Sequence, residues 1–233
     1  MKDNFIHVVF VIDESGSMTT SQSDVIGGFK RVVDEQKAVK DGTCAVSLFK
    51  FSDKVTEVYR GKDVNEVEYL DEHTYAPGGM TAMNDGIGVA IDNIGKWLDG
   101  MKESEKPEKN LVVIMTDGME NASREYTGER IREMIKHQEE KYSWSFMYLG
   151  TDITDAQAAV DLGIKSRGFS SRANVSSNYA TVSLALSSYR TTSGSCATKC
   201  MALAESIDTS LDTMNSNYEK ETGTKIENND QDV

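Results

Sequence analysis

The sequence predicts an α/β fold: a doubly wound, mostly parallel sheet with helices on both faces, followed by C-terminal helices. Three observations predict it. His7 to Ile12 (HVVFVI) and Leu111 to Thr116 (LVVIMT) are unbroken, β-branched apolar runs, the pattern of strands covered on both faces. Segments with apolar residues at helical spacing alternate with such runs, as crossover connections require. Only Ser52-Asp53 separates the second strand from the third, too little for a parallel crossover. The order 3-2-1-4-5-6 follows, with strand 3 antiparallel at the edge.

Each element has its own signal. After the first strand, Asp24 to Val39 spaces Val25, Phe29, Val32, Val33 and Gln36 as one helical face, and Asp41-Gly42 makes a turn. Cys44 to Phe51 reads as the second strand and Lys54 to Tyr59 as the third. Pro77-Gly78-Gly79 marks a loop before a long helix, Thr81 to Met101, with its stripe at Met83, Ile87, Ala90, Ile91, Ile94, Trp97, Leu98 and Met101. Lys102 to Lys109 reads as a charged surface loop ahead of strand four. Tyr126 to Lys141 is a helix, Trp144 to Leu149 a strand, Asp155 to Leu162 a short helix ended by Gly163, and Lys165 to Phe169 a last edge strand.

After Ser170 the texture changes. Val175, Tyr179, Val182, Leu186 and Tyr189 repeat at helical spacing, and so do Cys200, Ala204, Ile207, Leu211 and Met214. The chain therefore divides into an α/β domain at 1–170, two amphipathic helices at 171–214, and a polar tail at 215–233 that reads as disordered. The helices are expected to pack on their own sheet or to form an interface with another chain.

Composition narrows the function. The 233 residues are 38% hydrophobic, enough for a core, and carry a formal charge of −13. So acidic a chain is a poor general binder of the nucleic-acid backbone and a better binder of cations. No stretch matches a membrane span, and the opening residues carry no secretory cleavage signature. Three cysteines, Cys44, Cys196 and Cys200, make no disulfide framework, so a reduced cytoplasmic setting is expected. All three read as packing residues. His7, His73 and His137 lie scattered without paired spacing.

The chemistry concentrates at the end of the first strand. Asp13, Ser15 and Ser17 alternate there, with Gly16 allowing a tight bend. Ligands in open α/β sheets bind beyond the carboxyl ends of strands. Thr81 opens the long helix and Asp117 follows strand four, so both reach the same end of the sheet. One carboxylate with two hydroxyls, joined by a further hydroxyl and a further carboxylate, is an oxygen-only set. It suits Mg²⁺, with Mn²⁺ or Ca²⁺ as alternatives, and offers nothing to thiophilic metals. Glu14 and Glu120 lie nearby without an assignable role, and Asn84 and Asp85 read as first-turn helix residues.

These residues resemble the von Willebrand factor type A domains with a metal-ion-dependent adhesion site. Asp13-Glu14-Ser15-Gly16-Ser17, then Thr81, then Asp117 match that pattern in order. VVFVIDESGSM, GGMTAMNDGI and VVIMTDGMENAS are similar to the bacterial and phage intracellular branch. The resemblance covers about residues 5–170. It implies Ser15, Ser17 and Thr81 as inner ligands, Asp13 and Asp117 acting in support, and a metal position left for a partner's Glu or Asp. An AAA+ ATPase or an assembly component is the partner class implied, with neither nucleic acid nor membrane.

The motifs of nucleotide-binding, hydrolase and metalloprotease sites are absent, so the chain is expected not to be an enzyme. The best enzymatic alternative is a Mg²⁺-dependent phosphohydrolase with Asp13 as nucleophile. It would need a second carboxylate where Ser15 stands. A third alternative is a scaffold assembling through the C-terminal helices.

Overall fold

A computed structural model describes residues 1–151, 156–171 and 174–226. The buried runs form six strands: β1 (Lys2–Asp13), β2 (Thr43–Phe51), β3 (Val55–Asp63), β4 (Pro107–Thr116), β5 (Ser145–Gly150) and β6 (Ser166–Phe169). They make one sheet in the order β3-β2-β1-β4-β5-β6. Only the β2–β3 pair is antiparallel, as the two-residue connection demands.

Among the described residues six α-helices accompany the sheet: α1 (Gln22–Ala38), α2 (Met83–Asp99), α3 (Gly128–Tyr142), α4 (Ala156–Asp161), α5 (Ser176–Thr191) and α6 (Cys196–Thr222). The strands alternate their side chains between two apolar layers. Val8, Phe10 and Ile12 of β1 join α1, α5 and α6 in one. Val9 and Val11 join α2 and α3 in the other. Helices on both faces thus follow from the continuous apolar runs of the central strands, Val8–Ile12 and Leu111–Met115.

α5 and α6 pack on the sheet of their own chain. Val175, Tyr179, Val182, Leu186 and Tyr189 are buried in the α1 layer, with Leu203, Ile207, Leu211 and Met214 from α6. Arg190, 4% exposed, closes the far end of α1. Its guanidinium donates to the carbonyls of Gln36 (2.6 Å), Val39 (2.9 Å) and Asp41 (3.1 Å). The first two are carbonyls that the end of α1 leaves without internal partners; the third belongs to the turn that follows.

Several expectations need correction. β4 begins at Pro107, so Pro107 to Lys109 is strand rather than surface loop. Lys109 is buried with its ammonium donating to the carbonyl of Ser143. β3 runs to Asp63, four residues beyond the expected end. α6 starts at Cys196 and continues to Thr222, through residues assigned to the polar tail. Tyr218 is buried there, and Asn215 bonds the backbone of Arg167 and Phe169. Leu203, not Ala204, faces the core. The start of the helix expected from Asp155 and the end of the tail lie outside the described residues. Among the described residues no helix is long and apolar enough to cross a membrane.

Candidate metal centre

The carboxyl ends of β1 and β4, neighbours in the sheet, place Asp13 and Asp117 side by side. Asp13 is fully buried. Its Oδ1 accepts from the Ser15 amide (2.7 Å) and its Oδ2 from the Thr116 hydroxyl (2.6 Å). Its backbone carbonyl accepts from the Tyr75 hydroxyl at 2.6 Å. Burial pushes the Asp13 carboxyl up to about 6, against the hydrogen bonds from Thr116 and Ser15, and the charge of Asp117 adds to the rise. A buried carboxylate beside a second one is costly unless positive charge is supplied.

The hydroxyls converge on this pair. Ser15 Oγ and Ser17 Oγ are 3.0 Å apart, and Ser17 Oγ donates to Asp117 Oδ1 at 2.5 Å. Thr81 reaches the same place. A β-carbon added at Gly118 would lie 3.2 Å from Thr81 Oγ1 and 3.5 Å from Ser17 Oγ. Asp13, Ser15, Ser17, Thr81 and Asp117 are therefore brought together from three loops. Short backbone contacts hold those loops: Gly16 N–H to the Gly79 carbonyl (3.1 Å), Gly78 N–H to the Glu14 carbonyl (2.8 Å) and Ala82 N–H to the Ser52 carbonyl (2.9 Å).

The residues fit a hard divalent cation. The space at Gly118, which a single β-carbon would fill, is edged by two hydroxyl oxygens. Every donor is oxygen, which Mg²⁺ and Mn²⁺ accept. Among the described residues no group of three His, Cys, Asp or Glu side chains forms a metal cluster, so the candidate set rests on hydroxyls as well as carboxylates.

The model of the von Willebrand factor type A domain matches residues 7–157. The chain belongs to the von Willebrand factor type A family. Solved structures repeat the fold. The von Willebrand factor domain of the pilus tip protein Mfa5 from Porphyromonas gingivalis aligns with a TM-score of 0.60 at 11% identity, over 82% of this chain and 97% of that one. Manganese-loaded TRAP from Plasmodium vivax aligns with a TM-score of 0.50 at 18% identity, over 76% and 73%. Proximal thread matrix protein 1 of the mussel byssus, with zinc in its MIDAS motif, aligns with a TM-score of 0.53 at 18% identity over 77% of this chain. This chain spans 45% of the mussel protein and 61% of the minor pilin PilB from Streptococcus sanguinis.

Around this von Willebrand factor type A site stand residues the sequence left unplaced. Glu14 pairs with Lys50 at 2.7 Å and accepts from the Ala76 amide at 2.8 Å. Lys50 also donates to the Thr74 carbonyl. Glu120 accepts from Asn84, Ala122 and Ser123. Asn121 exchanges two bonds with the Thr81 backbone, at 2.9 and 3.0 Å. Thr116 and Tyr75 orient Asp13. Most of these partners lie far away in sequence, so no spacing pattern announces them. One signal existed: α2 starts after Ala82, which has no side chain to cap it.

Proposed function

We propose that the chain is a divalent-cation-dependent protein-binding module. Ser15, Ser17 and Thr81 would hold the ion, with Asp13 and Asp117 in support. Mg²⁺ is the expected ion and Mn²⁺ or Ca²⁺ the alternatives. The bound cation supplies an electrophilic point that a partner's Glu or Asp can complete. The observation that carries this reading is the convergence of the Ser15, Ser17 and Thr81 hydroxyls beside Asp117. A set with few carboxylates leaves a dication underneutralised, which favours an incoming acid.

The chain's own residues do the remaining work. Thr116 and the Ser15 amide fix the Asp13 carboxylate, and Asp117 orients the Ser17 hydroxyl. Exposed Met80 and Met119 flank Thr81 and Asp117 in sequence. They would give a partner apolar contact around its acidic residue. The partner class is an AAA+ ATPase or an assembly component, in the cytoplasm of a bacterium or a phage-infected cell. Nucleic acid and membrane stand outside the reading.

The module is read as non-enzymatic. Both oxygens of Asp13 are engaged, and Lys50 is committed to Glu14 and Thr74, which leaves a phosphohydrolase poorly equipped. A scaffold role for the C-terminal helices has less support, since their apolar stripes face their own sheet.

The test is calorimetric titration of Mg²⁺ and Mn²⁺ into the full chain, repeated with Ser17→Ala and Asp117→Ala, then capture of an acid-bearing partner with and without EDTA. Wild type is expected to bind and both variants to lose most affinity. A wild type that binds neither ion, or partner capture indifferent to EDTA, would overturn the reading.

A further inference from the structure

The helix that follows Thr81 begins without a cap of its own. Its N-cap position is Ala82, and no side chain of that residue can accept from the first turn. A helix start leaves N–H groups that need partners. Here they are met from the loop after β4. Asn84 N–H donates to Glu120 Oε2 at 2.8 Å, and Asp85 N–H donates to Ser123 Oγ at 3.0 Å. Ser123 in turn donates its hydroxyl to Glu120 Oε2 at 2.7 Å.

The remaining bonds fold the loop and tie it to the helix in the opposite sense. Glu120 Oε1 accepts from the amides of Ala122 (2.9 Å) and Ser123 (2.8 Å), which folds the loop back on itself. Asp85, on the helix, accepts from the amides of Arg124, Glu125 and Tyr126, each at 2.9 Å. Asn121 grips the Thr81 backbone from both sides. Both carboxylates are thus occupied by N–H and O–H donors and are turned away from any role as cation ligands.

We infer that Glu120, with Ser123, is a positioning residue for the candidate cation site: a cap supplied to α2 from another loop, which fixes Thr81 relative to Asp117. Glu120 lies three residues after Asp117, and the amide it caps lies three residues after Thr81. A carboxylate that bridges them sets the separation of the two oxygen-bearing loops without touching the ion. Such outer supports typically alter metal affinity by about 10–100-fold. The inference rests on the metal reading proposed above.

The experiment compares Mn²⁺ affinity and thermal stability in the full chain for wild type, Glu120→Ala, Glu120→Gln, Ser123→Ala and Thr127→Ala. Thr127 caps α3 by accepting from the Arg130 amide and touches neither Thr81 nor Asp117, so it reports the cost of losing a cap alone. Glu120→Ala is expected to weaken Mn²⁺ binding about tenfold or more, Ser123→Ala by less, and Thr127→Ala within twofold despite a comparable fall in Tm. Where Glu120→Ala does not fold, Glu120→Gln carries the test. It keeps one accepting oxygen and is expected to retain intermediate affinity. Wild-type affinity in the Glu120 variants overturns the inference and spares the metal reading. An equal loss in Thr127→Ala also overturns it, by showing a general stability effect. A wild type that binds no Mn²⁺ overturns both.

Discussion

Replacing Gly118 with alanine tests the candidate site at its narrowest point. The added β-carbon would lie 3.2 Å from Thr81 Oγ1 and 3.5 Å from Ser17 Oγ, with Thr81 Cγ2 at 3.7 Å. The first distance falls inside ordinary van der Waals contact, so the Thr81 side chain must give way by a few tenths of an ångström. Metal–ligand distances tolerate only about 0.2 Å. The expected loss in Mg²⁺ or Mn²⁺ affinity is therefore about 10–100-fold, or about 1.4–2.7 kcal/mol. Stability should move little. Gly118 is not in a left-handed conformation, so alanine also removes freedom from the unfolded chain, worth about 0.4–1 kcal/mol in favour of folding. That gain offsets the crowding, and Tm should stay within about 3 °C of wild type. Calorimetric titration and a thermal melt on the same sample decide it. Unchanged affinity in Gly118→Ala would refute the convergence of Thr81 and Ser17 on one ion. Affinity lost only together with the fold would refute the separation of site from scaffold.

His7 is fully buried, bonded through Nε2 to Ser47 Oγ (2.8 Å) and through Nδ1 to Asn110 Oδ1 (3.0 Å), and burial lowers its pKa from 6.5 to about 4. A base depressed in the folded state gives stability that is full above pH 6.5 and lost as pH falls toward 4. The loss is about 3 kcal/mol by pH 4, and urea unfolding should show a flatter pH slope across that window in His7→Gln. Arg190→Ala strands the carbonyls that close α1 and should cost about 3 kcal/mol in urea unfolding. Arg190→Lys should recover only part of it, because a single ammonium cannot replace the fork. A β-carbon at Gly28 would meet the Tyr179 ring at 2.3 Å, so Gly28→Ala should destabilise by about 1–3 kcal/mol. Below its melting temperature the variant should bind Mn²⁺ as wild type does, as titration at 10 °C can check.

Most of the architecture was legible because the central parallel strands contain continuous apolar runs. His7–Ile12 and Leu111–Thr116 could be nothing but buried strands, and the two-residue link after Phe51 forced the antiparallel edge. The misread boundaries share a cause. Glu108 and Lys109 look like surface charge, yet Glu108 accepts from Tyr189, Lys199 and the Asn4 amide, and Lys109 from the same stretch finds the Ser143 carbonyl. Partners so distant in sequence leave no local trace. The polar 215–222 segment hid a helix for the same reason, since Tyr218 is its one buried residue and Asn215 meets a distant strand. At the site, Asp13, Ser15, Ser17, Thr81 and Asp117 were readable from their order at strand ends. Glu14, Asp85 and Glu120 were not, because each serves backbone amides or a lysine from another segment.

The placement of α5 and α6 bears on how such a domain can be moved about. The family match stops at residue 157, whereas the layer beneath α1 closes only with Leu203, Ile207, Leu211 and Met214. Lifted out as a cassette bounded by the match, the unit would lose Tyr179, Leu186, Leu203 and Leu211 from that shared apolar layer. Shuffling or fusion experiments must therefore carry the trailing hairpin as cargo. Here the portable unit of descent is smaller than the unit that stands by itself.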